Sequence, residues 1–430
     1  MTFSLLHPRD QIVAIMARIY GHGMTTTSGG NISVRDENGD VWITPARVDK
    51  GNLRRQDIVR LSADGSAEGN HPPSSEYPFH LSIYKARPDI DAIIHAHPTA
   101  LVSFSICGQA PNTRIFPEAW SVCGTPGFAP YALPGSQQLG ENIATEFAAP
   151  QRPHCVILQN HGVVVGAENL AVAFQRLESM EFAAETIINA CALGQVRYLG
   201  DERIALSNQP RNILPEHAPQ APTIRERELR KEICEFVHRA HAHRLMTSTK
   251  GSFSARIDGD SFLITPYNVD RRDLDLDDLV VVHKGARACG QTPSRAVGLH
   301  RAIYNAHPEI HAIVNALPVH ATAFCASDSR FDTRTIPESY LFLKDVQTIP
   351  FEQQYGDLRA IPALIGPRNP VALLENNGVL VAGRSVLDAF DRLEVLEATA
   401  AAILRSRSLG AVTPMSDAVI QELMDAFPSM

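Results

Sequence analysis

The spacing of apolar residues along this chain switches repeatedly between a helical period and a strand period. Near the start, apolar side chains recur every three or four positions, which predicts the buried face of a helix, at Ile12, Ile15, Met16 and Ile19. The segments 31–36 and 40–45 each have the pattern of a strand, and the turn signal Asn38-Gly39 between them predicts a hairpin.

The alternation of helix and strand patterns continues beyond this hairpin. The further predicted elements are a helix over 76–85, a strand over 91–97, two short apolar strands over 155–159 and 163–165, and a long helix from about residue 169. Hairpins mixed with helices in this order predict an α/β fold with α/β/α layering, in which helices flank a largely antiparallel sheet.

The second half of the chain repeats the first. Residues 73–98 and 293–318 align without a gap, and 12 of the 26 positions are identical. Further matched pairs keep the same order, and their offset drifts only from 221 to 216: Gly30 with Gly251, Thr44 with Thr265, Pro117 with Pro337, and Asn160 with Asn376. We therefore predict a tandem repeat of one whole domain, since solenoid repeats are only about 20 to 50 residues long.

A stretch rich in proline and polar residues separates the two copies, as linkers often do. It covers 207–222 and puts the domains at 1–206 and 223–430. Two domains also suit a chain of 430 residues. The second domain is predicted to begin with a helix, because Thr223 and Glu226 form a capping-box pattern ahead of apolar residues at helical spacing.

Composition and charge narrow the classes of protein to which the chain can belong. Hydrophobic residues make up 44% and charged residues 20%, which is ordinary for a globular protein. The net charge of −8, without a basic stripe, argues against non-specific nucleic-acid binding. No run approaches the ~18 apolar residues of a membrane helix, no secretory signal is visible, and the seven cysteines are scattered. We therefore expect a cytoplasmic protein with reduced thiols.

Three histidines of the first copy have the pattern of a metal site. His95 and His97 lie two apart on a predicted strand, so both imidazoles point to one face, and His161 follows at a tight turn beside Gly162. Neutral imidazole is a common zinc ligand, and catalytic zinc typically takes three protein ligands and a water. Unrelated histidines, one of them bonded locally in a turn, would give the same pattern, so both interpretations stay open at this point.

Glu76 stands at the start of a predicted helix, where a carboxylate either caps the helix or acts as a general acid/base beside a metal. The second copy helps to separate these interpretations. There, the residues at the positions of Glu76 and the three histidines are Ala296, Asn315, Leu317 and Asn377, while the surrounding apolar and turn residues persist. A fold that survives the loss of all four does not need them, so we predict a single catalytic site in the first copy.

Two segments of small residues could bind an anionic group. In the first, Ser28, Gly30 and Asn31 belong to a loop whose backbone N–H groups can approach a ligand closely. In the second, Ser74 and Ser75 precede a helix start, which also favours anions. A tight turn with an asparagine cap explains the first loop at least as well as ligand binding does.

The motifs of the first copy follow one another as SGGNIS, ITPxxxD, SSE, HAHP, PGS and QNHG. In this order they resemble the class II aldolase/adducin family, which includes L-fuculose-phosphate aldolase, L-ribulose-5-phosphate 4-epimerase, related decarboxylases and the non-enzymatic adducin head. The resemblance covers nearly the whole chain, once per half, with a degenerate second copy. It implies a sheet flanked by helices in each half, and a four-fold ring with sites between neighbours.

The resemblance also implies roles for single residues. The three histidines match the family's divalent-metal ligands, with Zn²⁺ as the expected ion and Mn²⁺, Fe²⁺ or Co²⁺ as alternatives. Glu76 matches the acid/base glutamate of the family. Asn31, Ser74 and Ser75 match positions that bind the phosphate of the substrate in the sugar-phosphate members.

One segment departs from the sugar-phosphate members, which carry Thr-(Pro or Gly)-Ser-Gly after the second strand. Here the segment is Thr44-Pro45-Ala46-Arg47, so a serine hydroxyl is missing and a bulky cation is present. Thr44 and Arg47 are the candidate substrate contacts of this segment. Arginine pairs with carboxylates as well as with phosphate, which adds a carboxylate-bearing substrate to the alternatives. Arg47 is equally consistent with an ordinary surface residue.

These observations predict a metal-dependent carbon–carbon lyase. It would act on a small hydroxy-carbonyl or carboxylate-bearing substrate through a metal-stabilised enediolate, with Glu76 moving the proton. Retro-aldol cleavage and decarboxylation share that intermediate and stay open, and the alternatives are a sugar-phosphate epimerase or an adducin-like binding protein. The expected partner is a small-molecule substrate, with neither nucleic acid nor membrane. The expected assembly is a homodimer forming a pseudo-four-fold ring, or else a tetramer.

Overall fold

The structure is a computed structural model that describes residues 3–62, 64–209, 213–218 and 220–428. The chain divides into two compact units: unit 1 ends at Glu185, and unit 2 begins at Thr186. Residues 186–206, which precede the linker predicted from the sequence, lie in unit 2. Residues 210–212 and 219 of that linker, like the extreme chain ends, fall outside the described residues.

The strands of unit 1 are β1 (Asn31–Arg35), β2 (Val41–Ile43), β3 (Val59–Leu61), β4 (Ala67–Glu68), β5 (Ala92–Ala96), β6 (Gly127–Ala129), β7 (Cys155–Leu158) and β8 (Gly162–Ala167). They form one sheet in the order β4-β3-β2-β1-β5-β8-β7-β6. Every neighbouring pair is antiparallel except β6 and β7. The predicted largely antiparallel sheet is therefore confirmed.

Helices cover both faces of this sheet. They are α1 (Pro8–Gly21), α2 (Tyr77–Ala86), α3 (Thr99–Ile106), α4 (Pro117–Cys123), α5 (Gln137–Phe147) and α6 (Leu170–Leu193). One core cluster joins the sheet to α1, α3, α4 and α6, and another joins it to α2 and α5. Strand β5 lies between the two clusters, since Ile94 faces the first and Ile93 the second. The layered α/β/α fold is confirmed.

Unit 2 repeats this plan. Its strands are β9 (Glu216–His217), β10 (Ser252–Arg256), β11 (Ser261–Ile264), β12 (Val280–His283), β13 (Ala286–Ala288), β14 (Ala312–Ala316), β15 (Gln347–Ile349), β16 (Val371–Leu374) and β17 (Gly378–Gly383). They form a sheet in the order β15-β16-β17-β14-β10-β11-β12-β13-β9, in which the two outermost pairs are parallel.

The helices that begin within unit 2 are α7 (Asp201–Ser207), α8 (Ile224–Ala242), α9 (Val297–Ala306), α10 (Val319–Cys325), α11 (Pro337–Leu343), α12 (Phe351–Tyr355), α13 (Val386–Ser406) and α14 (Asp417–Ala426). Both units are thus sheets flanked by helices, as predicted. Across the described parts of the chain, none of the helices is long and apolar enough to cross a membrane.

Local signals in the sequence account for two of the element boundaries. The hairpin between β1 and β2 turns at Gly39, whose φ of 84° lies in the left-handed region that suits glycine. At the start of α8, the Thr223 hydroxyl accepts a hydrogen bond from the backbone N–H of Glu226, as the capping box predicts. In a full capping box the Glu226 carboxylate would accept from the backbone N–H of Thr223. Here it accepts from the Arg230 side chain at 2.7 Å instead.

Candidate metal and catalytic site

Three imidazoles meet at the ends of two paired strands. His95 lies in β5 and His97 just beyond it, while His161 directly precedes β8. The two strands pair antiparallel, with Ala96 opposite Val163, so the end of β5 stands beside the start of β8. One nitrogen of each ring lies within 4.8 Å of the others, and the Nε2 atoms of His95 and His97 are 3.0 Å apart. This convergence is what three ligands to one metal ion require.

The surroundings of these rings favour the neutral form that can bind a metal. Burial, together with the neighbouring His97 and His161, holds the pKa of His95 well below its ordinary value. Burial, with His161 beside it, also lowers the pKa of His97 to about 4. His95 Nδ1 lies 3.0 Å from the carbonyl oxygen of Val163. The Nδ1–H can therefore donate to that carbonyl, which leaves Nε2 free to act as the ligand.

Two glycines allow the backbone to approach the histidines closely. A Cβ atom on Gly162 would lie 2.5 Å from the Ala96 carbonyl oxygen and 2.6 Å from His97 Cδ2. A Cβ atom on Gly30, where φ is 67°, would lie 2.7 Å from the His95 carbonyl oxygen. These distances are too short for a Cβ atom at either position. Glycine is therefore needed in the loop before β1 and in the turn before β8, where the backbone passes close to the histidines.

Glu76 completes the cluster. It occupies the N-cap position of α2, yet its side chain makes no capping hydrogen bond, so the capping interpretation does not describe its carboxylate. Oε2 accepts a 2.8 Å hydrogen bond from Asn31 Nδ2 and lies 3.4 Å from His95 Nε2. Oε1 lies 3.6 Å from His161 Nε2, is buried, and has no hydrogen-bond partner among the described residues.

A divalent metal ion fits this arrangement. The carboxylate of Glu76 is about 13% exposed, and the buried oxygen Oε1 would leave a costly unsatisfied charge without a nearby cation or donor. Three imidazole nitrogens converge on the same space. His95, His97 and His161 could therefore hold the ion, with Glu76 beside it.

Three of the predicted ligand-binding residues are engaged in the fold. Asn31 is only 2% exposed, and its side-chain amide donates a hydrogen bond to the Glu76 carboxylate. The Thr44 hydroxyl is fully buried and accepts a hydrogen bond from the backbone N–H of Ile32. The Ser74 hydroxyl accepts from the backbone N–H of Glu76, which helps to hold the start of α2. In this arrangement Thr44 and Ser74 shape the site through the backbone.

The remaining predicted contacts are open to solvent. Ser28, Ser75 and Arg47 are exposed, and Gly30 is half-buried next to the histidines. Arg47 has a φ of 57°, a left-handed conformation that is uncommon for arginine. The exposed side chains are available to a ligand.

Sequence reasoning overlooked two buried titratable residues, of which His80 contacts the site. Lys50 is only 3% exposed, donates from Nζ to the Pro45 carbonyl at 2.7 Å, and has its pKa lowered to about 8 by burial. His80 is fully buried one helical turn after Glu76 and contacts Asn31. His80 follows Glu76 by four residues, which puts the two side chains on one face of the helix. This spacing is the signal that would have predicted a place for His80 beside Glu76.

Unit 2 has neutral residues at the corresponding positions. Asn315 accepts from His300 Nε2 at 2.6 Å, Asn377 donates to the Gln354 side chain, and Leu317 is 4% exposed. Ala296 occupies the N-cap position of the corresponding helix, and its methyl side chain cannot accept a proton. Within the described ranges, the cluster of three histidines in unit 1 is the one group of histidine, cysteine or acidic residues placed to hold a metal ion.

Comparison with known proteins identifies a family match in both halves. Residues 10–188 and 231–404 match the model of the Class II Aldolase and Adducin N-terminal domain. Over 210 residues, the chain is 33% identical to a 5-deoxy-D-ribulose 1-phosphate aldolase of Bacillus thuringiensis serovar kurstaki, which covers 46% of this chain and 91% of that protein.

Two further similarities have the same extent. A 3-oxo-tetronate 4-phosphate decarboxylase of Escherichia coli K12 is 30% identical over 203 residues, covering 46% of this chain and 93% of that protein. A solved structure of an L-fuculose 1-phosphate aldolase is 32% identical, covers 46% of this chain and 93% of its own, and has a TM-score of 0.42. Each of these proteins thus matches less than half of the present chain.

The geometry of the histidines predicts about one tightly bound divalent ion per chain, which elemental analysis of purified protein would measure. His97→Ala should release the ion, because two imidazoles seldom hold a catalytic metal alone. His243→Ala, which removes an exposed histidine of unit 2, is the matched control and should retain the metal. Two equivalents in the wild type, or full retention in His97→Ala, would contradict the assignment.

Proposed function

Since the chain belongs to the class II aldolase and adducin family, whose domain model matches both of its halves, we propose that it is a divalent-metal-dependent lyase that breaks a carbon–carbon bond beside a carbonyl group. Its relatives are aldolases and decarboxylases, and the chain is an aldolase-like lyase. The observation that carries the proposed mechanism is the buried Glu76 carboxylate, with one oxygen unpaired, beside three converging imidazoles.

His95, His97 and His161 would hold the ion, and zinc is the ion we propose. When bound, a divalent metal supplies Lewis-acid polarisation of the substrate carbonyl. The protein contributes the fixed geometry of the ligands, since the Val163 carbonyl orients His95 and the adjoining glycines let the backbone close over the rings.

Glu76 is the proposed acid/base group, and its two oxygens have different tasks. Asn31 holds Oε2 through a hydrogen bond, whereas Oε1 is unpaired among the described residues. The proton is therefore expected to move at Oε1. In retro-aldol cleavage, the base takes the proton of the hydroxyl group whose carbon leaves as an aldehyde. The same carboxylic acid then returns a proton to the carbon of the remaining enediolate.

The proposed substrates are small phosphorylated hydroxy ketones. Cleavage of 5-deoxy-D-ribulose 1-phosphate between C3 and C4 leaves the enediolate of dihydroxyacetone phosphate. Decarboxylation of 3-oxo-tetronate 4-phosphate leaves the same fragment, because its carboxylate is attached to the carbon next to the ketone. One set of site residues can therefore support either reaction. Ser28, Ser75 and Arg47 are the proposed contacts for the anionic group, since they are exposed.

Unit 2 is proposed to be a degenerate domain without catalysis of its own. Its residues at the positions of the acid/base group and of the three ligands are Ala296, Asn315, Leu317 and Asn377, which carry neither an acid/base carboxylate nor an imidazole. One active site per chain follows from this proposal.

The reaction is tested by supplying the zinc-loaded full chain with three compounds: 5-deoxy-D-ribulose 1-phosphate, L-fuculose 1-phosphate and 3-oxo-tetronate 4-phosphate. Formation of dihydroxyacetone phosphate would be followed by its enzymatic reduction, with separate measurement of released aldehyde and carbon dioxide. An aldehyde identifies an aldolase and carbon dioxide a decarboxylase. Failure to cleave any of the three would refute the proposed substrate class.

Glu76→Gln should lower kcat on the active compound by about 10² or more, as the loss of a general acid/base group does. The metal content should stay near one equivalent, because the histidines remain. Unfolding should change little, since the side chain of Glu76 makes no capping hydrogen bond and unit 2 folds with Ala296 at this position. Glu76→Ala, which copies unit 2, serves as the control for folding. Wild-type turnover by Glu76→Gln would exclude the proposed role.

We further propose that the chain forms a homodimer, because closed symmetric assemblies are the usual outcome for soluble enzymes and the resemblance implies a ring. Light scattering of the full-length protein should give twice the chain mass of 47.0 kDa. A mass of one chain across the micromolar range would refute the dimer, and a mass of four chains would favour the tetramer.

A further inference from the structure

A continuous row of hydrogen bonds leads from the interior of unit 1 to Glu76. The Tyr84 hydroxyl lies 2.8 Å from Ser33 Oγ, which lies 2.7 Å from His80 Nδ1. His80 Nε2 lies 2.5 Å from Asn31 Oδ1, and Asn31 Nδ2 donates to Glu76 Oε2 at 2.8 Å. We call these five residues the support chain. Apart from Glu76, whose side chain is 13% exposed, all its members are buried, with Tyr84 the most exposed at 5%.

The support chain forms because two periodic patterns face each other. Glu76, His80 and Tyr84 follow one another at intervals of four, so they lie along one side of α2 from its N-cap onward. Asn31 and Ser33 are two apart on β1, so their side chains share the face of the sheet that packs against α2. Each polar group on the helix thus meets a polar group on the strand.

The acceptor at the end of the support chain determines the direction of every hydrogen bond in it. Burial lowers the pKa of His80 to about 3, so the ring is neutral at physiological pH and carries one N–H. An ionised Glu76 can only accept, so Asn31 must present its amide nitrogen to Glu76 and its oxygen to His80. His80 therefore carries its proton on Nε2, and Nδ1 accepts from Ser33.

The other end of the support chain supplies the remaining proton. Burial raises the pKa of the Tyr84 hydroxyl above its ordinary value, so it stays protonated and can donate to Ser33. Ser33 then donates to His80, so every contact between neighbours in the row joins one donor to one acceptor. Apart from Glu76 Oε1, the buried side-chain nitrogen and oxygen atoms of the row each have a hydrogen-bond partner, which is the condition under which such a row becomes rigid.

Unit 2 separates the structural part of this row from the part that reaches the site. Ser254, His300 and Tyr304 form the same trio, with hydrogen bonds of 2.7 and 2.8 Å. There, however, His300 Nε2 meets Asn315, which stands at the position of His95, and the position of Asn31 is taken by Ser252. The trio occurs in both units, whereas the extension through Asn31 to a carboxylate belongs to unit 1.

We propose that His80 is a positioning residue for the reaction: by donating to Asn31, it holds Oε2 of Glu76 in place and leaves Oε1 as the oxygen that moves the proton. This inference rests on the proposed function of Glu76. A purely structural role is the competing explanation, because His300 fills the same place in unit 2 without a carboxylate to position. The difference between the two histidines provides the test.

The test compares His80→Leu with His300→Leu in the full-length, zinc-loaded protein, using whichever of the three compounds the wild type cleaves. Both changes remove one hydrogen-bond partner from a buried serine and one from an asparagine side chain, so both should lower the unfolding temperature to a similar degree. His80→Leu should lower kcat about 10- to 100-fold, as a misplaced catalytic group does, with KM and metal content nearly unchanged. His300→Leu should leave kcat unchanged.

Two further variants distinguish positioning from a general loss of structure. In His80→Gln, the amide nitrogen can occupy the place of Nε2 and donate to Asn31, so a large part of the lost kcat should return. In the double variant Glu76→Gln/His80→Leu, kcat should be no lower than in Glu76→Gln alone, because His80 acts through Glu76. Equal kcat in His80→Leu and the wild type, or multiplying losses in the double variant, would overturn the inference.

A measurement independent of activity separates this inference from the proposed function. ¹⁵N NMR spectra of histidine-labelled protein, with the His80 signal assigned by its disappearance in His80→Gln, report which ring nitrogen carries the proton. The support chain requires the proton on Nε2, and a proton on Nδ1 would overturn the inference even if no compound were cleaved. Absence of turnover together with the Nε2 proton would refute the substrate class while the arrangement of the support chain stood.

Discussion

The candidate site depends on the antiparallel register of three central strands. Pairing of β1 with β5 puts Asn31 opposite His95, and pairing of β5 with β8 puts Ala96 opposite Val163. Side chains alternate along a strand, so a slip of one residue would turn His95 to the other face of the sheet and separate it from the rest of the cluster. The glycines at 30 and 162 permit the close approach that this register demands. The sheet thus brings together residues that are far apart in the sequence, such as Gly30 and Gly162, which are separated by 132 positions.

Around this cluster, burial gives otherwise ordinary groups their chemical character. Imidazoles that are shielded from water stay neutral and present lone pairs. Among the described residues, the Glu76 carboxylate beside them accepts one firm hydrogen bond, from Asn31. A buried negative charge with an unpaired oxygen is costly unless a cation lies nearby. The buried charge and the unpaired oxygen cost free energy when no cation is bound. The same two features favour a divalent ion at the site and proton transfer at that oxygen.

Comparison of the two units separates the polar residues that both units share from those that occur in unit 1. The buried serine, histidine and tyrosine trio occurs in both units with the same hydrogen-bond lengths, so this polar core is compatible with either state of the site. The residues at the positions of Glu76 and the three histidines differ between the units. In unit 2, His300 donates to Asn315 at the position that His95 occupies in unit 1, so the buried His300 has a hydrogen-bond partner there.

Much of the architecture was determined by the sequence alone. The alternation of helix and strand patterns, the Asn38-Gly39 turn and the repeat of 73–98 predicted two α/β units. The spacing of His95 and His97 predicted a shared face, because strand periodicity is a local property. Only the tertiary structure decided the rest: that Thr44 and Ser74 bind backbone groups, that Asn31 lies under Glu76, and that His80 reaches Asn31. Periodicity tells which way a side chain points, but its hydrogen-bond partner depends on how α2 packs against β1, over a separation of more than 40 residues in the chain.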